Sequence, residues 1–115
     1  MKGCLSKITL ATALGILPGA ALADFETRNL RYTCERGVEI PVVYVTAPDQ
    51  AIAVLVVEGA QIMLIGAPST TGIRYGWPSD GSHYIWLSKD GDATLLWRDG
   101  ATGTETPLLA SCRQN

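Results

Sequence analysis

Histidine and phenylalanine each occur once in this 115-residue sequence, and lysine only at positions 2, 7 and 89. A single histidine beside widely spaced cysteines cannot supply the four or so ligands of a zinc site. A Ser/His/Asp triad would have to be built on His83, with Ser69, Ser82, Ser88 or Ser111 as the nucleophile. None of these serines has the strand-turn-helix setting that exposes a nucleophile. Asp90 and Asp92 flank Gly91 but lack the distal glutamate of a calcium loop, and Asp-Gly at a hairpin tip is explained by backbone demands alone. No enzymatic activity and no cofactor or metal are expected. From Asp24 onward there is also no sustained helical periodicity, no internal repeat, no low-complexity tract and no sign of a second domain.

The first 23 residues read as an export signal. Lys2 and Lys7 precede an apolar run from Ile8 to about Leu22, which closes on Ala21-Leu22-Ala23. That small-x-small ending is what signal peptidase accepts, so cleavage before Asp24 is expected. The run is too short and too rich in Gly and Pro to span a bilayer comfortably. Cys4 lies ahead of it, not at its end, and is not placed to become a lipidated N-terminus. A soluble periplasmic domain, residues 24–115, with no stable membrane anchor, is the expectation. Its seven Lys and Arg face eleven Asp and Glu, a formal net charge of −4. Such a balance disfavours nucleic acid and anionic membranes and favours a basic partner or none in particular.

Loss of Cys4 leaves Cys34 and Cys112 near the two ends of the mature chain. Two cysteines in a small exported domain ordinarily pair. A redox pair would want close spacing instead.

The body of the chain is a series of short runs rich in Val, Ile, Leu, Thr, Tyr and Trp, cut by Gly, Asp and Pro. The expected strands are 27–34, 38–46, 51–57, 61–65, 70–75, 83–89, 92–98 and 105–111. In the second, Val38, Ile40, Val42 and Tyr44 share one face. Gly66-Ala67-Pro68 is expected to break the fourth, and Asp90-Gly91 to turn the sixth into the seventh. About eight sequential antiparallel strands close most readily into a barrel, which removes exposed edges. The predicted fold is therefore all-β, a small antiparallel β-barrel of about eight strands with one disulfide. Tyr75, Tyr84, Trp86 and Trp97 are expected in its interior; Trp77, in a loop beside Pro78, is expected at the surface.

These residues carry a family pattern. Tyr32-Thr33-Cys34-Glu35-Arg36-Gly37, then Ser69-Thr70-Thr71-Gly72-Ile73-Arg74-Tyr75, then Tyr84-Ile85-Trp86-Leu87-Ser88-Lys89 with Ala93-Thr94-Leu95, and finally Cys112-Arg113 occur in order. The set resembles the membrane-bound and periplasmic inhibitors of c-type lysozyme, the MliC/PliC family. The resemblance implies an eight-stranded barrel with one disulfide, and a loop and a hairpin lysine that enter the lysozyme cleft. Thr71 would take the place of the family's functional serine and Lys89 that of its functional lysine. Ser69, Gly72, Arg74 and Tyr75 complete the loop motif as positioning or contact residues. Three departures stand out: threonine for serine at 71, Asp90 where the family has glycine, and a longer segment between Tyr75 and Tyr84. An alternative from a different class is an envelope module that kept the barrel but recognises glycan or another protein.

Overall fold

A computed structural model describes residues 24–115. The expected signal, residues 1–23, lies outside the described residues. Eight strands follow one another: β1 Glu26–Cys34, β2 Glu39–Ala47, β3 Gln50–Val57, β4 Ala60–Ser69, β5 Gly72–Gly76, β6 His83–Lys89, β7 Asp92–Arg98 and β8 Glu105–Gln114. Each pairs antiparallel with the next, and β8 returns to β1 to close the barrel. One 3₁₀ turn, Glu35–Gly37, joins β1 to β2. Among the described residues no helix is long and apolar enough to cross a membrane.

Period-two alternation puts Ile40, Val42 and Tyr44 of β2 inside, in one core with Ala53 and Leu55 of β3 and Leu64 of β4. Val38 precedes β2 and is 36% exposed, so it leaves the face expected of it. The bounds of β6 and β7 agree with the sequence reading, and those of β4 do not. That strand continues through Gly66-Ala67-Pro68 to Ser69. Gly66 is paired with Tyr75, and a Cβ at Gly66 would lie 2.7 Å from the Tyr75 ring, so the glycine makes room for an aromatic inside the barrel. Beyond Ile65, β4 pairs with β5 alone, and a one-sided strand tolerates the donor missing at Pro68.

The core is organised around the Tyr44 hydroxyl. It lies 2.8 Å from the Tyr32 hydroxyl, accepts the Trp86 indole N–H at 2.8 Å and donates to Ser88 Oγ at 3.4 Å. Every polar atom of this knot therefore has a partner, which is what allows it to be buried. Burial, then the Tyr44 hydroxyl, raises the Tyr32 phenol far above its ordinary value. Trp86 is fully buried with its ring edge-on to Tyr32. Trp97 departs from the interior expected of it. It sits at the barrel mouth, 37% exposed, with its ring edge packed on half-buried Tyr84.

The closing seam is short. β1 and β8 meet over only Tyr32–Gln114, Thr33–Arg113 and Cys34–Cys112, whereas β1 and β2 share eight register pairs. The Cys34–Cys112 disulfide crosses this seam, and Asn115 extends it by donating its N–H to Arg31 O at 3.0 Å.

Outside the barrel, Ile85 and Leu96 face one another across β6 and β7 and are nevertheless buried. Above them an ion pair spans from β5 to β8. Arg74 forks onto the Glu105 carboxylate, with Nη1 donating to Oε1 at 3.1 Å and Nη2 to Oε2, while Arg98 Nη1 donates to Oε2 at 3.2 Å. Hydrogen bonding from Arg74 is the main cause that holds the Glu105 carboxyl below its ordinary value. A carboxylate whose folded pKa is depressed stabilises the fold above its unfolded pKa, and that stability is lost as pH falls through the folded value. Glu105→Gln is therefore expected to flatten the acid limb of a stability-versus-pH curve below about pH 4.5. An acid limb identical to wild type, measured by urea unfolding between about pH 2 and pH 6, would remove Glu105 from the acid response.

Candidate functional site

Two hairpin tips, Thr70–Thr71 between β4 and β5 and Asp90–Gly91 between β6 and β7, emerge from the same end of the barrel. They lie side by side because β5 and β6 are paired, with Ile73 opposite Ser88. Gly72 sets how closely they approach. A Cβ there would lie 2.2 Å from Ser88 O and 2.9 Å from Lys89 Cβ, and its φ of +120° is one that side-chain-bearing residues avoid. Only glycine lets the first tip rest against the strand that carries Lys89.

Ser69 shapes the first tip from within. Its hydroxyl accepts the Thr71 N–H at 3.3 Å and donates to Gly72 O at 3.2 Å, and it lies 3.4 Å from the Thr71 hydroxyl. The loop is thereby fixed by local side-chain bonding, with Thr71 held at its exposed crest.

The second tip is a two-residue turn with both central residues left-handed, Asp90 at φ 51° and Gly91 at φ 87°. Hairpin twist demands this geometry, and aspartate is among the few non-glycine residues that tolerate it. The backbone requirement thus accounts for glycine or aspartate at position 90. Lys89, the last residue of β6, is exposed. Across the hairpin from it, Asp92 is engaged by Arg113 Nε at 3.4 Å. Among the described residues, the ion pairs use arginines alone and leave the Lys89 ammonium free. Ser88, immediately before it, is tied inward to Tyr44, so the base of the lysine is anchored to the core.

The six loop and hairpin residues singled out by motif divide into two groups. Ser69, Thr71, Gly72 and Lys89 come together at this end. Arg74 points along the outer wall to Glu105. Tyr75 is inside, 4% exposed, its ring 5.4 Å from that of Tyr44, and its phenol is pushed up to about 12, mainly by burial. Both hold β5 in place from either side of the sheet. Sequence reasoning did not foresee the roles of Glu105, Ser88 and Arg113, which depend on partners far along the chain. His83 stands at the opposite end of β6 from Lys89, with Nδ1 2.8 Å from Gly81 O. Ser82, its neighbour, accepts the Gly100 N–H at 2.8 Å. Among the described residues no group of three His, Cys, Asp or Glu is placed to hold a metal ion.

A family model described as membrane-bound lysozyme-inhibitor of c-type lysozyme matches residues 32–103. A protein of Cupriavidus necator named membrane-bound lysozyme inhibitor of C-type lysozyme is 32% identical over 89 residues, covering 76% of this chain and 66% of the relative. One of the same name from Pseudomonas aeruginosa is 33% identical over 87 residues, covering 73% and 64%. The chain thus spans just under two thirds of the length of these curated relatives. Among solved structures, Pseudomonas aeruginosa MliC, crystallised in complex with hen egg white lysozyme, superposes with a TM-score of 0.61 at 27% identity, over 86% of this chain and 90% of that one. The Adhesin Complex Protein from Neisseria meningitidis shares the fold, with a TM-score of 0.53 at 14% identity over 76% and 99% of the two chains.

Proposed function

Because the chain belongs to the family of membrane-bound inhibitors of c-type lysozyme, we propose that it is a periplasmic inhibitor of c-type lysozyme that presents Thr71 and Lys89 to the enzyme's cleft. The observation that carries this reading is the pairing of the two tips. Gly72 lets the Thr71 loop lie against the strand ending in Lys89, and that lysine has its charge free. C-type lysozyme works through two carboxyl groups in a cleft, one kept protonated and one ionised. An ammonium brought between them pairs with the ionised group, and the bond strengthens as water is excluded. The Thr71 hydroxyl, a donor and an acceptor, supplies a neutral hydrogen bond beside it. The relative found in complex with hen egg white lysozyme has a barrel like this one, which supports lysozyme as the partner. In this reading residues 1–23 are the export signal, and residues 24–115 are released as a soluble domain that is not an enzyme.

The direct test mixes the purified mature protein with a c-type lysozyme and follows lysis of cell walls. Stoichiometric suppression of lysis is expected; lysis at the uninhibited rate would overturn the reading. The same pair of proteins tests the role of charge. Residues 24–115 carry a formal −4, and attraction to a basic enzyme speeds encounter over a distance that salt shortens. The association rate should therefore fall steadily between roughly 0.02 and 0.5 M salt. A flat response would mean that net charge plays no part in the encounter.

A further inference from the structure

The end of the barrel remote from Lys89 carries large side chains that the fold leaves open. Trp77 is 43% exposed and Met63 47%, and with Ile62, Tyr84 and Trp97 they line a shallow apolar hollow. On the other side of Trp77 lies a second hollow of opposite character, walled by Ser79, Asp80, His83 and Arg98. Trp77 and His83 belong to both. An indole at the surface thus has an aromatic floor on one side and hydrogen-bonding groups on the other.

Those groups are held in place. The His83 ring is fixed by the hydrogen bond that Nδ1–H donates to Gly81 O at 2.8 Å, so in the neutral ring Nε2 is left as an acceptor. Arg98 is anchored through Nη1 to Gly103 O and Glu105, which leaves its other donors uncommitted. The Asp80 loop is braced from behind by Gly100, whose N–H reaches Ser82 Oγ and whose missing side chain lets Asp80 O approach. The polar hollow is electrically balanced, with Asp80 and Glu105 beside Arg74 and Arg98.

We propose that Trp77 and His83 are the centre of a second binding site, which takes a neutral pyranose chain. A pyranose offers an apolar C–H face that stacks on an indole, and a rim of hydroxyls that both donate and accept. A carboxylate, an imidazole acceptor and a guanidinium donor beside an aromatic floor match that rim, and the mix of apolar lining with a few placed polar groups is that of a small-ligand site. Charge balance argues against an anionic ligand, and an anionic membrane surface would call for a basic rim. His83 and Lys89 are the two ends of the seven-residue β6, roughly 20 Å apart at strand rise, so both ends can be occupied at once. The inference stands whether or not the Lys89 end binds lysozyme.

Two-dimensional NMR of the full mature protein tests it, with chitotetraose and cellotetraose as probes. Saturable shifts are expected at the Trp77 indole N–H and at backbone amides of residues 76–84, for one tetraose or both. Trp77→Ala and Asp80→Asn should each weaken binding at least tenfold, while Trp77→Ala suppresses cell-wall lysis as well as wild type does. Absence of saturable shifts up to about 20 mM of either sugar, far above a millimolar Kd, would overturn the proposal. So would binding that Trp77→Ala leaves intact, or shifts produced by phosphatidylcholine vesicles and by neither sugar.

Discussion

Lys89→Ala is expected to weaken inhibition of c-type lysozyme by roughly 30-fold to several thousand-fold, the effect of removing one partner of a buried interfacial charge pair at about 2–5 kcal/mol. Thermal melting should stay at the wild-type value. Lys89 is exposed at the end of β6, and substitutions at exposed positions without structural partners change stability little. The size of the effect depends on the lysine arriving with its charge free. Asp92 is engaged by Arg113, and the ion pairs of the described residues include none to Lys89. Had Asp90 already neutralised the ammonium in solvent, the loss would shrink to the sub-kcal/mol worth of an exposed pair. Thr71→Ala should cost less, about 0.5–1.5 kcal/mol for one neutral hydrogen bond. Inhibition constants and melting curves for both variants decide the matter. A Lys89→Ala protein that melts normally and inhibits like wild type would eliminate the cleft-insertion mechanism.

Replacing both Cys34 and Cys112 with alanine is expected to destabilise the barrel by on the order of 4–5 kcal/mol, as the chain-entropy account gives for a loop of this length. The cysteines are 78 residues apart, so the bridge constrains nearly all of the described chain in its unfolded state. Both are buried, and alanine leaves no polar group behind in the core. Total stabilities of small domains lie at about 5–15 kcal/mol, so a loss of this size takes a large share. Equilibrium urea unfolding of the oxidised wild type against the double variant measures it. A difference below about 1 kcal/mol would mean that the unfolded chain is already compact enough to make the cross-link redundant.

What could be read from the sequence follows from how local each signal is. β6 and β7 are bounded by Asp90-Gly91 and Asp99-Gly100, and such turn residues act through their own backbone, so the reading holds to the residue. Gly66 misleads for the opposite reason. Its lack of a side chain serves the Tyr75 ring, nine positions away, and nothing beside Gly66 marks that need. Trp97 alternates correctly for an inward position, but alternation says nothing about depth, and Trp97 lies at the mouth. The candidate site divides the same way. Thr71, Gly72 and Lys89 stand out by their order along the chain and come together. The fork of Arg74 onto Glu105 bridges 31 residues and crosses two intervening strands, a relation that only the closed barrel creates.

The short seam between β1 and β8 has a consequence in time as well as in space. Seven of the eight strand pairings join neighbours along the chain, and hairpins of that kind form within about 1–10 μs. The eighth brings together residues 78 apart for only three register pairs. It carries a loop-closure cost that the hairpins do not, and it offers few hydrogen bonds in return. We therefore expect the ring to shut last, on a curved sheet already assembled, with both thiols accessible until then. Pulsed alkylation of the reduced chain during refolding reads that order: thiols shielded before the hairpins gain amide protection would reverse it.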